Sequence, residues 1–212
     1  MRQTRFFYLH GFASGPSSKK ARFFRQRLAE SGIGLEIPDL AQGDFEHLTM
    51  SGQLKVIEAM AGSAPAVLIG SSMGGYLAAL YAASHPSVQR LLLLAPAFDL
   101  AARWPAVVGN QQASDWKSSR VMSLYHHGDA CDRRLSYAIV EDGAQYEAYP
   151  DFTQPALIFH GRRDTTVPPE YSERFAREHR NVKLMLLDSD HELIDVLPAM
   201  WDESAQFLTE GR

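Results

Sequence analysis

Residues 70–74 read Gly70-Ser71-Ser72-Met73-Gly74, a G-x-S-x-G pattern. A serine flanked this way can act as a nucleophile if the chain turns sharply beneath it. The turn exposes the hydroxyl, and small residues at 70 and 74 let neighbouring backbone pass close by. The next N–H, on Met73, then points at the oxyanion that develops on an attacked carbonyl, near the positive end of the following helix. The pattern alone is weak: with Gly and Ser each near ~7% of residues, about one chain in fifteen of this length contains it by chance. The competing reading is a strand-to-helix turn whose serine caps a helix. Context favours chemistry, because the motif follows the apolar run Ala66-Val67-Leu68-Ile69 and opens the apolar stretch 73–84.

A serine hydroxyl is a poor nucleophile until a base takes its proton. Among eight histidines, His191 is best placed: it follows the last strand-like run, after Asp188-Ser189-Asp190, and precedes the terminal helical stretch. The others have plainer readings. His10-Gly11 suits a structural or oxyanion-loop role, and His160 ends a strand where it can hydrogen-bond within the site. His126-His127 is expected to face solvent, as are His47, His85 and His179. The base in turn needs an acid to fix its tautomer. Asp164, after His160-Gly161-Arg162-Arg163, is favoured over Asp99, which follows run 91–95. Asp190 and Glu192 adjoin His191 and are expected to point elsewhere. The second oxyanion donor should come from the loop His10-Gly11-Phe12-Ala13-Ser14-Gly15-Pro16, with the Phe12 N–H as donor. Gly11 permits close approach to substrate, and the Phe12 side chain can wall its pocket.

The elements that must position these residues are legible as alternating runs. Residues 5–9, 35–37, 66–69, 91–95, 156–159 and 182–187 read as strands, mostly apolar throughout. Stretches 17–31, 46–61, 73–84, 170–178 and 192–209 read as helices; Gly32 stops the first, and Pro198 marks a break or fresh start in the last. Apolar strands separated by helices predict an α/β fold, a mostly parallel sheet of about six strands with helices on both faces. Ser72, Asp164 and His191 would each lie just past a strand, at one edge of that sheet. Residues 100–152 break the rhythm. They are polar and rich in Trp and Tyr, no strand-length apolar run stands out, and 133–146 reads as a helix, with Glu141-Asp142-Gly143 equally readable as a turn. They are taken as a cap inserted in a single domain spanning 1–212.

Composition narrows the field. The 212 residues are 45% hydrophobic and 22% charged with a net charge of −4, which fits an ordinary globular domain and gives no basic footprint for nucleic acid. No apolar run approaches the ~20 residues needed to span a bilayer, and the N-terminal apolar run is too short for a secretory signal. With one cysteine, Cys131, and no signal, the expected setting is the cytoplasm. The absence of G-x-G-x-x-G after the first strand makes nucleotide binding the weaker story.

These motifs together resemble the α/β-hydrolase superfamily, and most closely the compact bacterial esterases of the YqiA/YcfP-like group. The resemblance rests on Leu9-His10-Gly11-Phe12, Gly70 to Gly75, Phe159 to Asp164 and Asp190-His191-Glu192-Leu193. It implies a serine carboxylic-ester hydrolase with no metal and no organic cofactor. Ser72 carries over as nucleophile, Asp164 as acid, His191 as base, and Phe12 and Met73 as oxyanion donors. The partner expected is a small acyl ester with a short chain, with no nucleic acid and no membrane insertion; oligomeric state stays open. The aromatic cap suggests a small, partly apolar pocket, and Arg162 and Arg163 beside the acid could recruit an anion, though surface ion pairs are their commoner fate. A thioesterase, a carbon–carbon hydrolase or lyase, a peptidase, and a non-catalytic ligand receptor are the competing functions on the same scaffold.

Overall fold

The computed structural model describes residues 3–210. Six strands form one parallel sheet: β1 (Arg5–Leu9), β2 (Leu35–Glu36), β3 (Ala66–Ser71), β4 (Val88–Leu94), β7 (Ala156–Gly161) and β8 (Val182–Leu187), in the spatial order β2-β1-β3-β4-β7-β8. A separate two-stranded antiparallel sheet pairs β5 (Val121–His126) with β6 (Cys131–Ser136). Side chains of β1 alternate between two apolar layers: Phe7 and Leu9 point into one, Phe6 and Tyr8 into the other. The first layer is covered by α2 (Met50–Ala61), α3 (Met73–Ser84) and α7 (Glu170–Glu178), the second by α1 (Lys19–Glu30) and α8 (Leu197–Thr209). α3 is apolar on every side and buried from Met73 to Ala82, as a helix pressed between a sheet and a second layer must be.

Local chemistry sets the boundaries. Ser18 and Thr49 cap α1 and α2 with their side-chain oxygens, so these helices start at 19 and 50 instead of 17 and 46. Pro198 lies in the first turn of α8, where its missing N–H costs nothing; residues 192–196 are turns and irregular chain, so the terminal helix is shorter than the pattern suggested.

The largest correction concerns 100–152. That segment holds α4 (Leu100–Val108), α5 (Asn110–Ser119), the β5–β6 hairpin and α6 (Ala138–Gly143). Of the expected helix over 133–146, residues 133–136 belong to strand β6 and only 138–143 are helical. β6 reads Cys-Asp-Arg-Arg-Leu-Ser and is exposed except near its end, so it carries no apolar run to find. Its strand state comes from pairing with β5 across the turn, a tertiary choice. Trp104, Trp116, Met122, Leu135 and Ile139 of this segment join the apolar layer that contains α2 and α3.

Register fixes the working edge. Leu9 lies beside Gly70, Ser71 beside Leu94, Leu94 beside Phe159, and Gly161 beside Leu187. The strands therefore end nearly level, and the residues that follow them crowd one rim.

Candidate active site

Ser72 sits at that rim, between β3 and α3. Its backbone has φ 53° and ψ −118°, a conformation that L residues rarely adopt and that costs on the order of 1–3 kcal/mol. The turn survives because the neighbours leave room for nothing else. A Cβ on Gly74 would collide with the Leu9 and His10 carbonyl oxygens, and one on Gly70 with the backbone of Gly74 and Gly75. The Ser72 N–H donates to the Leu94 carbonyl at 2.9 Å, and its own carbonyl accepts from Gly75, Tyr76 and Ala97. Ser72 occupies the N-cap position of α3, yet its hydroxyl makes no capping hydrogen bond. The capping role weighed from sequence is therefore not the one the hydroxyl fills.

That hydroxyl faces His191. Nε2 of His191 lies 3.1 Å from Ser72 Oγ, and its Nδ1 lies 2.7 Å from Asp164 Oδ2. Nδ1–H donates to the carboxylate, which leaves the Nε2 lone pair to accept the Ser72 proton. The loop that carries His191 is shaped by the Glu192 N–H donating to Asp190 Oδ1, and Leu193 after it has φ 53°. Gly161 makes the approach possible: a Cβ there would run into the Ser189 and Asp190 carbonyl oxygens.

Asp164 is buried and its carboxylate is saturated. Oδ1 accepts the N–H groups of Thr166 (2.9 Å) and Val167 (2.8 Å); Oδ2 accepts from His191 and from His160 Nε2 at 3.1 Å. Burial alone would raise its pKa, but the hydrogen bonds from His160 and His191 and the Val167 N–H outweigh it and hold the carboxyl well below the usual range. Its rival Asp99 heads α4 in a left-handed conformation and makes no hydrogen bond or ion pair with His191.

The first loop closes the other side. Gly11 stands within van der Waals reach of Ser72 Cβ, at 3.4 Å from where a side chain would begin. Among the described residues, neither the Phe12 nor the Met73 N–H donates to a protein acceptor. The Phe12 ring packs against Phe45 (5.5 Å) and edge-on to Trp104 (5.3 Å). All of these residues except Phe45, together with His191 and Val167, border one cavity of about 720 Å³.

Several secondary expectations change. His126 is buried against Phe45, 4.6 Å between ring centroids, and burial lowers its pKa; the hairpin folds it inward, whereas its neighbour His127 is exposed. His179 stacks on Phe175 at 3.9 Å and His85 on Tyr81 at 3.7 Å, so both are half-buried; His47 is exposed. His10 accepts the Leu40 N–H on Nε2 and is structural. Of the aromatics in 100–152, Trp104 and Tyr125 border the cavity, while Trp116 packs between Trp104 and Tyr137. Arg163 pairs with exposed Asp188, Arg162 is exposed, and neither borders the cavity.

Sequence reasoning missed three participants. Ser172, on α7, meets His160 Nδ1 at 2.7 Å, and no motif marks it. Lys20 is buried and donates to the Glu192 carbonyl at 2.9 Å, tying α1 to the His191 loop; burial lowers its pKa. Arg103 is buried at the cavity wall, inside a segment whose irregular pattern hid it.

A family model described as "Uncharacterised protein family (UPF0227)" matches residues 5–208. No curated protein matches the chain. Many solved structures do. The ferulic-acid-bound Est1E of Butyrivibrio proteoclasticus is 22% identical with a TM-score of 0.82, covering 99% of this chain and 89% of that one. Alpha/beta hydrolase domain-containing protein 10 from mouse is 20% identical with a TM-score of 0.79, covering 99% and 92%. A Paleococcus ferrophilus monoacylglycerol lipase is 19% identical with a TM-score of 0.75, covering 96% and 93%. At these identities the likeness establishes the fold, which is that of the α/β hydrolases.

Proposed function

We propose, taking as premise that this chain belongs to the UPF0227 family and has the α/β-hydrolase fold, that it is a serine hydrolase of small carboxylic esters. The observation that carries this reading is the Ser72–His191–Asp164 chain of contacts, 3.1 Å and 2.7 Å, with a serine hydroxyl not spent on capping. Ser72 attacks the ester carbonyl carbon while His191 Nε2 takes its proton. Asp164 holds the resulting imidazolium. The Phe12 and Met73 N–H groups, which have no protein acceptor among the described residues, face the developing oxyanion. The carbon–oxygen bond then breaks, the alcohol leaves with the proton from His191, and water activated by the same imidazole releases the acid from Ser72.

Residues 100–152 are proposed as the cap over this reaction. Their Trp104, Leu124 and Tyr125 border the cavity beside Ser72. At about 720 Å³ it suits a small ester, as pockets for small ligands run roughly 300–1,000 Å³. The structural relatives named for ferulic acid binding and for monoacylglycerol lipase activity fit an acyl-ester substrate.

The test is a panel of p-nitrophenyl esters of graded acyl length, with acyl thioesters beside them, on wild type and Ser72→Ala, plus labelling by a fluorophosphonate. Wild type should turn over short esters many times and take the label at Ser72. Ser72→Ala should lose several orders of magnitude in kcat. Near-wild-type turnover by Ser72→Ala would overturn the assignment.

A further inference from the structure

The cavity beside Ser72 has a charge its protein lacks. The chain as a whole is −4, yet Lys19, Lys20, Arg22 and Arg103 border the cavity against a single carboxylate, Glu192. Three of the four cations lie on the α1 side, and one of them, Lys20, is used to hold the Glu192 carbonyl. Arg103 stands apart, on α4, and is only 5% exposed.

Its guanidinium is incompletely satisfied. Nη2 donates to the Thr166 carbonyl, and Cζ lies 4.8 Å from the Tyr171 ring centroid. Nη1 is buried without a hydrogen-bond partner, and among the described residues no carboxylate pairs with this arginine. A buried cation without a counter-charge is costly, and an apolar side chain would fill the same helix position without that cost. Burial of a guanidinium with no counter-charge at a cavity wall makes sense if the counter-charge arrives with a ligand.

Its placement is fixed relative to the reacting serine. Thr166 accepts from Arg103 through its carbonyl and donates its N–H to Asp164 Oδ1 at 2.9 Å. One residue therefore bridges Arg103 to the carboxylate behind His191. Leu100 and Trp104, on the same helix, give the wall beside it an apolar surface.

We propose that Arg103 forms an anion subsite: the ester attacked by Ser72 carries an oxyanion, a carboxylate or a phosphate, on its acyl or alcohol part, and the Arg103 guanidinium binds it. The position of the scissile bond rests on the serine-hydrolase reading; the subsite itself does not. A charge-assisted hydrogen bond from a buried guanidinium would both select the substrate and set the distance of its carbonyl from Ser72.

Binding to Ser72→Ala protein separates the two ideas, since no turnover is needed. Calorimetry would compare monomethyl glutarate, methyl 4-phosphonobutyrate and the neutral dimethyl glutarate. At least one anionic probe should bind about tenfold or more tightly than the neutral one, and Arg103→Gln in the same background should erase the difference. Which anionic probe wins distinguishes carboxylate from phosphate recognition. Equal affinities, no binding of either anion, or a preference that survives Arg103→Gln would overturn the subsite. If Arg103→Gln does not fold, Arg103→Lys keeps the charge and one hydrogen bond. It should lose roughly threefold or more of the preference, and an unchanged preference would count against the proposal. A wild type inactive on every ester but showing this binding would sink the hydrolase reading alone.

Discussion

His160, fully buried, places Nε2 3.1 Å from the same Asp164 oxygen that His191 meets at 2.7 Å. His160 Nε2 also lies 2.7 Å from the Val167 carbonyl, which can only accept, so that nitrogen bears the proton. The other ring nitrogen then accepts the Ser172 hydroxyl proton. A second histidine, anchored from α7, thus fixes the carboxylate that orients the first.

Replacing this anchor should affect rate more than binding. His160→Phe leaves Ser172, the Val167 carbonyl and part of Asp164 without a partner, at about 1–3 kcal/mol for each buried group. The expected result is a lower melting temperature and kcat reduced about tenfold or more, with KM near wild type. Steady-state kinetics with a p-nitrophenyl ester check it; a change confined to KM would contradict the positioning role.

Ser72 stores strain that a glycine would release. Ser72→Gly should abolish esterase activity while raising stability by about 1 kcal/mol, since φ 53° suits glycine. For a chain of this size that is a rise of roughly 2–4 °C in Tm. Calorimetric melting of both proteins measures it.

Close approach at Gly161 predicts a sharp contrast between two glycines. Gly161→Ala drives a methyl into the Ser189 and Asp190 carbonyls and should displace the His191 loop, with loss of activity and of several °C in Tm. Gly34→Ala meets open space and should leave both within error of wild type. The paired melts and rates give the answer.

Residues 100–152 are tied to α2 through one carboxylate. Asp142 Oδ2 accepts the Ser51 N–H at 2.8 Å, Oδ1 accepts the Ser51 hydroxyl at 2.6 Å, and that hydroxyl meets Tyr146 at 2.7 Å. Asp142→Ala should weaken this attachment by about 1.5–3 kcal/mol. Limited proteolysis should then cut within 100–152 faster than in wild type, with the sheet core left intact.

Stability should fall with acid in two stages. Burial lowers the pKa of His10 and His126 in the folded state. Below their ordinary value of 6.5 the unfolded chain therefore binds more protons, and stability drops as pH falls from there. Asp164 is also depressed, so its contribution is whole above 3.8 and is lost as pH falls below that value toward its folded pKa. A Tm profile from pH 8 to 3 should show both slopes. His10→Gln, which does not titrate, should reduce the first.

The sequence by itself determined the sheet, its covering helices and the three residues that meet at its rim. Continuous apolar runs leave a parallel strand few alternatives, and a residue placed just past such a strand must emerge at the carboxyl edge. The choice between Asp164 and Asp99 was made by strand order, which sets β7, and not β4, beside β8 and so brings the Asp164 and His191 loops together. The β5–β6 hairpin escaped detection because β6 is polar and becomes a strand only by pairing with β5. Arg103 escaped for a related reason, since burial and an unmet hydrogen bond belong to the packed state, whereas His160 was expected to hydrogen-bond within the site and only its partners Asp164, Val167 and Ser172 had to come from the fold. Residue type says what a side chain can do. Only the neighbours brought from distant parts of the chain decide whether its charge is answered, its proton fixed, or its hydroxyl left free to react.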